Sequence, residues 1–496
     1  MILELPPASG TPAAGEGKRL CPKCGEETES KFCSPCKVRS VYETSALKAY
    51  GDLRVEAGLP FFGGFFEDSV YGYDLRFLAP KIKDLASEAS RYFSAYIKVT
   101  KPKTVVFSRD QRASGELLKG AFVATLKENG MDFVEIDGLM STTSSPFFGA
   151  MVARELGHKI LLFHTTASHN PPDYNGFKVF HGDFTHNMFP ATLESGELVK
   201  SEDVHKAYAA FLMERFGDRP PSKLKFDFDC VFGVGWEIQK HILPIIAPGA
   251  KPIREEPRAD LGGLKIAQPP EVHEGQKGLS FCADGDIDRL VMYYNGRYLP
   301  LSRFYAILIE HDLFDEKLLV DQRTSIQIRE FMKERGAKII QGGVGRTTQE
   351  IMGAKLDAAW MEENWHSGGY KVKGLRFFWP EASLGLMDWL KALEDVGVTK
   401  FFSTPVPDPV LVNAKIQCEP NINERIWEKA PGYFKDAAVT RIDAEDGVRV
   451  EFKDGHMLLR ESNTECGQVR VEANGQDAKV ANRILKAGTA FIEKIK

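Results

Sequence analysis

KTVVFS (Lys103–Ser108), SGELLKGAFVATLKENG (Ser114–Gly130), MDFVEIDG (Met131–Gly138), SSPFFGAMVAREL (Ser144–Leu156) and KILLFHT (Lys159–Thr165) follow one another along the chain, and their alternation decides the fold class. The first, third and fifth are short apolar runs rich in β-branched and aromatic residues, the pattern of buried strands. The second and fourth carry apolar residues at helical spacing; Ser114 is placed to cap the first of these helices and Gly130 to end it. Strands separated by helices imply mostly parallel sheets.

The same rhythm extends outward. KFDFDCVFG (Lys225–Gly233), a helix around Trp236 to Ile245 and LSFCADGD (Leu279–Asp286) repeat it, and RLVMYYNGRYLP reads as a hairpin turning at Asn295-Gly296. A third block runs from about Leu301 to Phe402, with strands at KLLVDQ, AKIIQGG and DAAWME. From Thr404 the pattern changes to short strands separated by Asp446-Gly447 and Asp454-Gly455, closed by a helix from about Gln476. No exact repeat is visible, but three αβ blocks of similar size hint at duplication. The expected fold class is α/β: three similar mixed αβα-layered domains plus a smaller C-terminal α+β domain. The expected boundaries are a tail at 1–17, a cysteine-rich segment at 18–40, and domains at 60–200, 201–299, 300–403 and 404–496.

A chain of 496 residues is too long for one core. Its 43% hydrophobic and 27% charged content is that of an ordinary globular protein, and a net charge of −5 argues against a broad nucleic-acid-binding surface, though not against a local basic patch. No run approaches the ~20 apolar residues needed to span a bilayer, and the first residues lack the pattern of an export signal. Scattered Cys230, Cys282, Cys418 and Cys466 fit free thiols, so the expected location is the cytoplasm.

Four stretches carry chemistry. TTASHNPPDYNGFKV (Thr165–Val179) directly follows a strand, so Ser168 stands where α/β sheets place their ligand sites. Pro171, Pro172 and Asn175-Gly176 stiffen and bend the loop. A serine is a weak nucleophile without a base or metal beside it, and the Gly-x-Ser-x-Gly elbow of acyl-transfer enzymes is absent. In Asp284-Gly-Asp286-Ile-Asp288-Arg289, alternate residues of an extended segment point the same way, so three carboxylates converge. An all-oxygen donor set suits Mg²⁺, and Arg289 stands where a calcium loop needs glycine. RESNTE (Arg460–Glu465), followed by Arg470, offers guanidinium, hydroxyl and amide donors to a phosphate. In MEENWHSGG (Met361–Gly369), Glu362 and Glu363 can accept from sugar hydroxyls and Trp365 can stack on a ring. QGGVGRTTQE (Gln341–Glu350) lacks the spacing of a nucleotide-binding loop.

Together these stretches resemble the α-D-phosphohexomutase superfamily, specifically its phosphomannomutase/phosphoglucomutase branch. TTASHNPPDYNGFK resembles the phosphoserine loop, DGDIDR the metal loop and RESNTE the phosphate-binding loop. YGYDLR (Tyr71–Arg76), SRDQRASGELL (Ser108–Leu118) and GGVGR (Gly342–Arg346) also fit, in family order over about residues 68 to 490. The resemblance implies four domains around a central cleft. It implies reversible phosphate transfer between C1 and C6 of mannose or glucose phosphate through phospho-Ser168, with hexose 1,6-bisphosphate as intermediate and activator. Asp284, Asp286 and Asp288 would hold Mg²⁺ with Ser168; Arg76, Lys178 and His169 would assist the transfer. Glu362, Glu363, Asn364, Ser367 and Arg289 would contact the sugar phosphate, and Arg460, Ser462, Asn463, Thr464 and Arg470 would grip the non-reacting phosphate. The chain departs from the pattern at Phe77, at Trp365-His366-Ser367 and at Cys466-Gly467. The alternatives are a mutase for glucosamine phosphate or another sugar phosphate, and a catalytically weak sugar-phosphate binder.

Cys21, Cys24, Cys33 and Cys36 follow C-x2-C-x8-C-x2-C, the spacing of a tetrahedral structural Zn²⁺ site. Such a ribbon has too little core to fold without metal. It lies outside the mutase-like region, where it would dock a protein partner, contact nucleic acid or brace the first domain.

Overall fold

A computed structural model describes residues 19–20, 27–28, 74–81, 84–100, 102–158, 160–182, 198–265, 273, 276–344, 349, 353, 356–372, 375–377, 380–418, 422–443, 447–461 and 468–496. Cys21, Cys24, Cys33 and Cys36 lie outside the described residues, as does the tail. Beside them one antiparallel pair is described, β1 (Arg19–Leu20) with β2 (Glu27–Thr28). Ser462, Asn463, Thr464 and Arg346 are also outside.

The first large sheet contains β3 (Asp74–Leu78), β4 (Thr104–Arg109), β5 (Asp132–Asp137), β6 (Ile160–Thr165), β7 (Tyr174–Gly182) and β8 (Leu198–Lys200), in the spatial order 3-7-6-4-5-8. Strands β6, β4, β5 and β8 are parallel, whereas β7 and β3 run antiparallel to their neighbours. Helices α1 (Leu85–Thr100), α2 (Gly115–Glu128) and α3 (Ser144–Leu156) connect them. Ser114 precedes α2 without a side-chain cap; its Oγ instead accepts from Asn175 Nδ2 at 2.7 Å, drawn away by the serine loop. Gly130, at φ 59°, follows the helix end as expected.

Helix α4 (Ser201–Phe216) leads to a second sheet of β9 (Phe226–Asp229), β10 (Ala250–Ile253), β11 (Leu279–Ala283), β12 (Leu290–Tyr294) and β13 (Arg297–Tyr298), in the order 10-9-11-12-13, with α5 (Gly235–Ile246) between β9 and β10. The β12–β13 hairpin turns on Asn295 and Gly296, both at positive φ. Helix α6 (Leu301–Glu310) precedes the third sheet, β14 (Lys317–Val320), β15 (Lys338–Gln341), β16 (Ala359–Met361) and β17 (Ser367–Gly368), in the order 15-14-16-17, with α7 (Ile326–Glu334) after β14. The hairpin β18 (Tyr370–Val372)–β19 (Leu375–Phe377) and α8 (Ala382–Val396) complete this region. The last sheet is wholly antiparallel: β20 (Val410–Gln417), β21 (Ala438–Asp443), β22 (Gly447–Phe452), β23 (Gly455–Glu461) and β24 (Gln468–Gly475), in the order 20-24-23-22-21. It is covered by α9 (Asn423–Tyr433) and α10 (Ala478–Ile495).

The first three sheets repeat one arrangement. In β5-β4-β6-β7, β10-β9-β11-β12 and β15-β14-β16-β17, a first strand is flanked by two parallel partners, and the third strand is followed by an antiparallel return strand. The duplication hinted at by block size is therefore present in the topology. One apolar core runs through all three sheets, from Val106 to Val406. A second, around Phe93, fills the space between α1, α2 and the other face of the first sheet. The C-terminal sheet has a core of its own. No helix among the described residues is long and apolar enough to cross a membrane.

Candidate active site

In each repeat the segment joining the third strand to its return strand carries one of the stretches singled out above. These are residues 166–173 between β6 and β7, 284–289 between β11 and β12, and 362–366 between β16 and β17. Each contains one non-glycine residue in the left-handed region: Ser168 (φ 50°), Ile287 (φ 56°) and Trp365 (φ 70°). That conformation is unfavourable for a side chain and persists only where the surroundings impose it.

The serine loop is built around Arg112. This fully enclosed guanidinium donates to the carbonyls of Pro171 (2.6 Å), Tyr174 (2.7 Å), Ser168 (2.8 Å) and Asn170 (2.8 Å). Asp110 holds it from behind, accepting from Arg112 N at 3.0 Å and Nε at 3.2 Å. A fixed fork of donors facing several carbonyls sets the loop's curvature. Ser168 Oγ then donates to Asp284 Oδ2 at 2.7 Å and accepts from Arg289 Nη1 at 2.6 Å. His169 Nδ1 lies 3.5 Å from Ser168 Oγ.

Asp284, Asp286 and Asp288 are buried, with one oxygen of each within 4.8 Å of the others. Two basic side chains face these three carboxylates. Lys178 Nζ reaches Asp286 Oδ2 (2.8 Å), Asp288 Oδ2 (2.9 Å) and Thr142 Oγ1 (2.9 Å), and Arg289 Nη1 reaches Asp284 Oδ2 (2.6 Å) and Asp288 Oδ1 (3.2 Å). Thr142 Oγ1 also donates to Asp286. Burial, reinforced by Asp288 and Asp286, pushes the Asp284 carboxyl well above the usual range. Burial acts the same way on Asp286 and Asp288, but Lys178 and its companions outweigh it and hold both below that range. Asp286 Oδ1 is enclosed and accepts no hydrogen bond. An orphaned carboxylate oxygen among three clustered carboxylates fits a hard divalent cation such as Mg²⁺.

The third loop joins the same cluster through His366, whose Nδ1 is 2.5 Å from Glu362 Oε2 and whose Nε2 is 3.1 Å from Asp288 Oδ1. Arg323 holds Glu362 Oε1 at 2.8 Å. Against the effect of burial, Arg323 and His366 lower Glu362 to about 2. Glu363 is pushed up to about 7 by burial and then by the Asp321 carboxylate. Asn364 Oδ1 is enclosed and accepts nothing. Ser367 Oγ lies 2.6 Å from Tyr370 OH. Trp365 does not form the expected stacking platform: only 3% exposed, it packs edge-on against Trp389 and donates Nε1 to Tyr298 OH at 2.7 Å. Its left-handed backbone turns the indole inward, into the core.

On the C-terminal sheet, Arg460 (β23) and Arg470 (β24) are direct cross-strand partners, which puts both side chains on one face. Arg460 Nε is 3.4 Å from Glu472 Oε2. Arg76 pairs with Gly176 by register, one residue from the pairing of Phe77 with Asn175.

Local reading missed His366, Arg112, Arg323 and Thr142. A signal for two of them was present: Asp110-Gln-Arg112 and Asp321-Gln-Arg323 are the same tripeptide, each leaving the first strand of its repeat. The second copy repeats the geometry, with Asp321 accepting from Arg323 N and Nε, both at 2.8 Å.

Residues 69–186 match the family phosphoglucomutase/phosphomannomutase, alpha/beta/alpha domain I. The chain is 23% identical over 441 residues to the phosphoglucosamine mutase of Methanococcus vannielii, covering 79% of this chain and 92% of that protein. It is 26% identical over 430 residues to the phosphoglucomutase/phosphomannomutase of Thermococcus kodakarensis, covering 79% and 90%. Among solved structures, a phosphoglucomutase/phosphomannomutase family protein from Burkholderia thailandensis shares its fold, with a TM-score of 0.64 at 20% identity over 87% of this chain and 98% of that one.

Proposed function

We propose a reaction for this chain from the fact that it belongs to the α-D-phosphohexomutase superfamily: reversible movement of phosphate between the C1 and C6 oxygens of a hexose phosphate, with Ser168 as carrier. Hexose-phosphate mutase chemistry in general is supported by the relatives. The observation that carries the assignment to Ser168 is its hydroxyl, 2.7 Å from Asp284 and 2.6 Å from Arg289, beside the aspartate cluster.

Phospho-Ser168 gives its phosphoryl group to the free hydroxyl of the sugar monophosphate. The bond from phosphorus to Ser168 Oγ breaks as one to the sugar oxygen forms, and the sugar hydroxyl proton passes to a neighbouring base. The resulting 1,6-bisphosphate reorients and returns its other phosphate to Ser168. Asp284, Asp286 and Asp288 would hold Mg²⁺, which when bound neutralises charge on the transferring group. Arg289 supports the carrier oxygen directly, and Lys178 keeps Asp286 and Asp288 ionised. Arg76, Lys178 and His169 are the groups proposed to assist proton movement. Glu362, Glu363, Asn364 and Ser367 read the sugar, and Arg460, Ser462, Asn463, Thr464 and Arg470 grip the phosphate that is not reacting.

The sugar is proposed to be glucose or mannose. A second reading, glucosamine phosphate, is favoured by the relatives named phosphoglucosamine mutase. The test is intact mass with peptide mapping after incubation with Mg²⁺ and glucose 1,6-bisphosphate, beside a panel of the three sugar 1-phosphates. One phosphate on Ser168, lost in Ser168→Ala together with turnover, is the expected result. Wild-type turnover in Ser168→Ala would remove the carrier assignment, and the panel ranks the sugars.

A further inference from the structure

Away from the serine and aspartate loops, α4 and α5 bring a different set of donor atoms together. Glu202 and His205 are three residues apart on α4, and Glu237 and His241 four apart on α5, so each pair shares a helix face. One ligand atom each of Glu202, His205 and Glu237 lies within 4.8 Å of the others, and His241 Nε2 is 3.3 Å from Glu202 Oε1. His205 is completely buried, and neither of its ring nitrogens has a hydrogen-bond partner. A leucine would fill that position without the cost of two orphaned nitrogens. His241 Nε2 is enclosed as well and makes no aligned hydrogen bond, despite its closeness to Glu202.

A cation already bridges the two carboxylates of this group. Lys240 Nζ lies 2.8 Å from Glu202 Oε2 and 2.8 Å from Glu237 Oε2, at the end of a long side chain that is 29% exposed. We propose that Glu202, His205 and Glu237 form a site for a first-row divalent transition ion, which His241, adjacent to Glu202, would turn in to complete, with Lys240 as the internal competitor that a metal displaces. Two imidazoles and two carboxylates suit Zn²⁺ and its neighbours, whereas Mg²⁺ selects oxygen alone. A bond from metal to His205 would satisfy one nitrogen that the protein leaves unpaired.

The other mixed cluster, Asp229, His273 and Cys282, has no such vacancy. Arg254 and His273 both bind Asp229, and His273 Nδ1 is held by Gln276 at 3.1 Å. An ion between α4 and α5 would pin the helix leaving the first sheet to one whose start abuts the aspartate loop, since Val234 N donates to Gly285 O at 3.1 Å. The site would therefore be structural, sharing no residue with the serine or aspartate loops.

The test uses the full-length protein and Zn²⁺ itself. Because the four N-terminal cysteines are expected to take zinc too, the readout is the difference between variants, measured as bound zinc per chain after equilibrium dialysis. Wild type is expected to hold one equivalent more than Glu237→Gln and one more than His205→Leu. Lys240→Met should tighten that extra equivalent by about tenfold as the competing ammonium is removed. Cobalt in its place should give visible d–d absorption that disappears in Glu237→Gln, while any thiolate charge-transfer band is unaffected. Equal zinc in wild type, Glu237→Gln and His205→Leu would overturn the proposal, as would zinc affinity that Lys240→Met leaves unchanged.

Discussion

Arg112 is the residue on which the serine loop depends most. Four carbonyls converge on one buried guanidinium, and lysine offers only a point charge on a flexible stem. Arg112→Lys is therefore expected to fold but to misplace Ser168, lowering kcat about 10²-fold, since a displacement of about 1 Å costs that much. Steady-state kinetics beside circular dichroism check this; near-wild-type kcat would mean the loop holds its shape without the fork. Glu363 makes a prediction of opposite character. Its folded pKa is raised to about 7 from 4.5. A raised carboxyl contributes stability that is complete below the unfolded pKa and is lost as pH climbs through the folded one. Glu363→Gln, which cannot ionise, should match wild type at pH 4 and become more stable than it above pH 7, by a few kcal/mol at most. Thermal melts of the substrate-free proteins across this range decide it, and a constant gap at every pH would count against the burial of this carboxyl.

At the scale of elements, three loops leave equivalent strands and meet because the return strand turns each of them the same way. Their close fit to neighbouring turns can be tested at Gly233, in the turn between β9 and α5. A Cβ there would stand 2.5 Å from Gly285 O and 2.8 Å from Gly285 Cα, backbone atoms of the aspartate loop that cannot move aside alone. Gly233→Ala is expected to displace that loop, raising the Mg²⁺ concentration needed for half-maximal activity at least ~10-fold by analogy with the loss on altering groups that orient metal ligands. Gly120 provides the contrast: it is exposed on α2, and a Cβ there meets nothing within 4 Å. Gly120→Ala should stabilise the protein by ~0.5–1 kcal/mol with activity unchanged. A loss of activity in both variants would point to general sensitivity and not to loop placement.

At the scale of the whole molecule, the distribution of apolar contacts sets the cooperative units. The first three sheets share one continuous core, while among the described residues the C-terminal sheet buries its apolar residues in a separate core with α9 and α10. The seam between the two is polar, with Arg329 2.8 Å from Glu451 and Gln327 Nε2 donating to Asp454 O at 3.0 Å. Calorimetry should accordingly show two transitions and not four. The C-terminal one should carry about 65 kcal/mol, at ~0.7 kcal/mol per residue for residues 404–496. A single transition would mean that the polar seam couples the units as strongly as a shared core does.

What the sequence determined by itself is local. Apolar runs and glycine signals marked the strands and helices, because those patterns act over a few residues. The Asp-x-Asp-x-Asp spacing marked the carboxylate cluster for a reason the structure corrects: residues 284–288 form a turn closed by Ile287 N to Asp284 O at 3.1 Å, with Ile287 left-handed, and not the extended segment expected. The resemblance named the serine loop for the same reason, as a contiguous string. Ser114 shows the limit even at short range: an available cap was taken by Asn175, a partner sixty-one residues away. The bond from Ser168 to Asp284 spans 116 residues and that from His366 to Asp288 spans 78, so no spacing within a motif encodes either. The tertiary structure alone decided that Lys178 faces two metal-loop aspartates, that His366 joins the third loop to them, and that Trp365 belongs to the core. The physical reason is that these contacts form only when separate sheets pack, and the apolar burial that packs them is non-directional until the backbone has placed each loop.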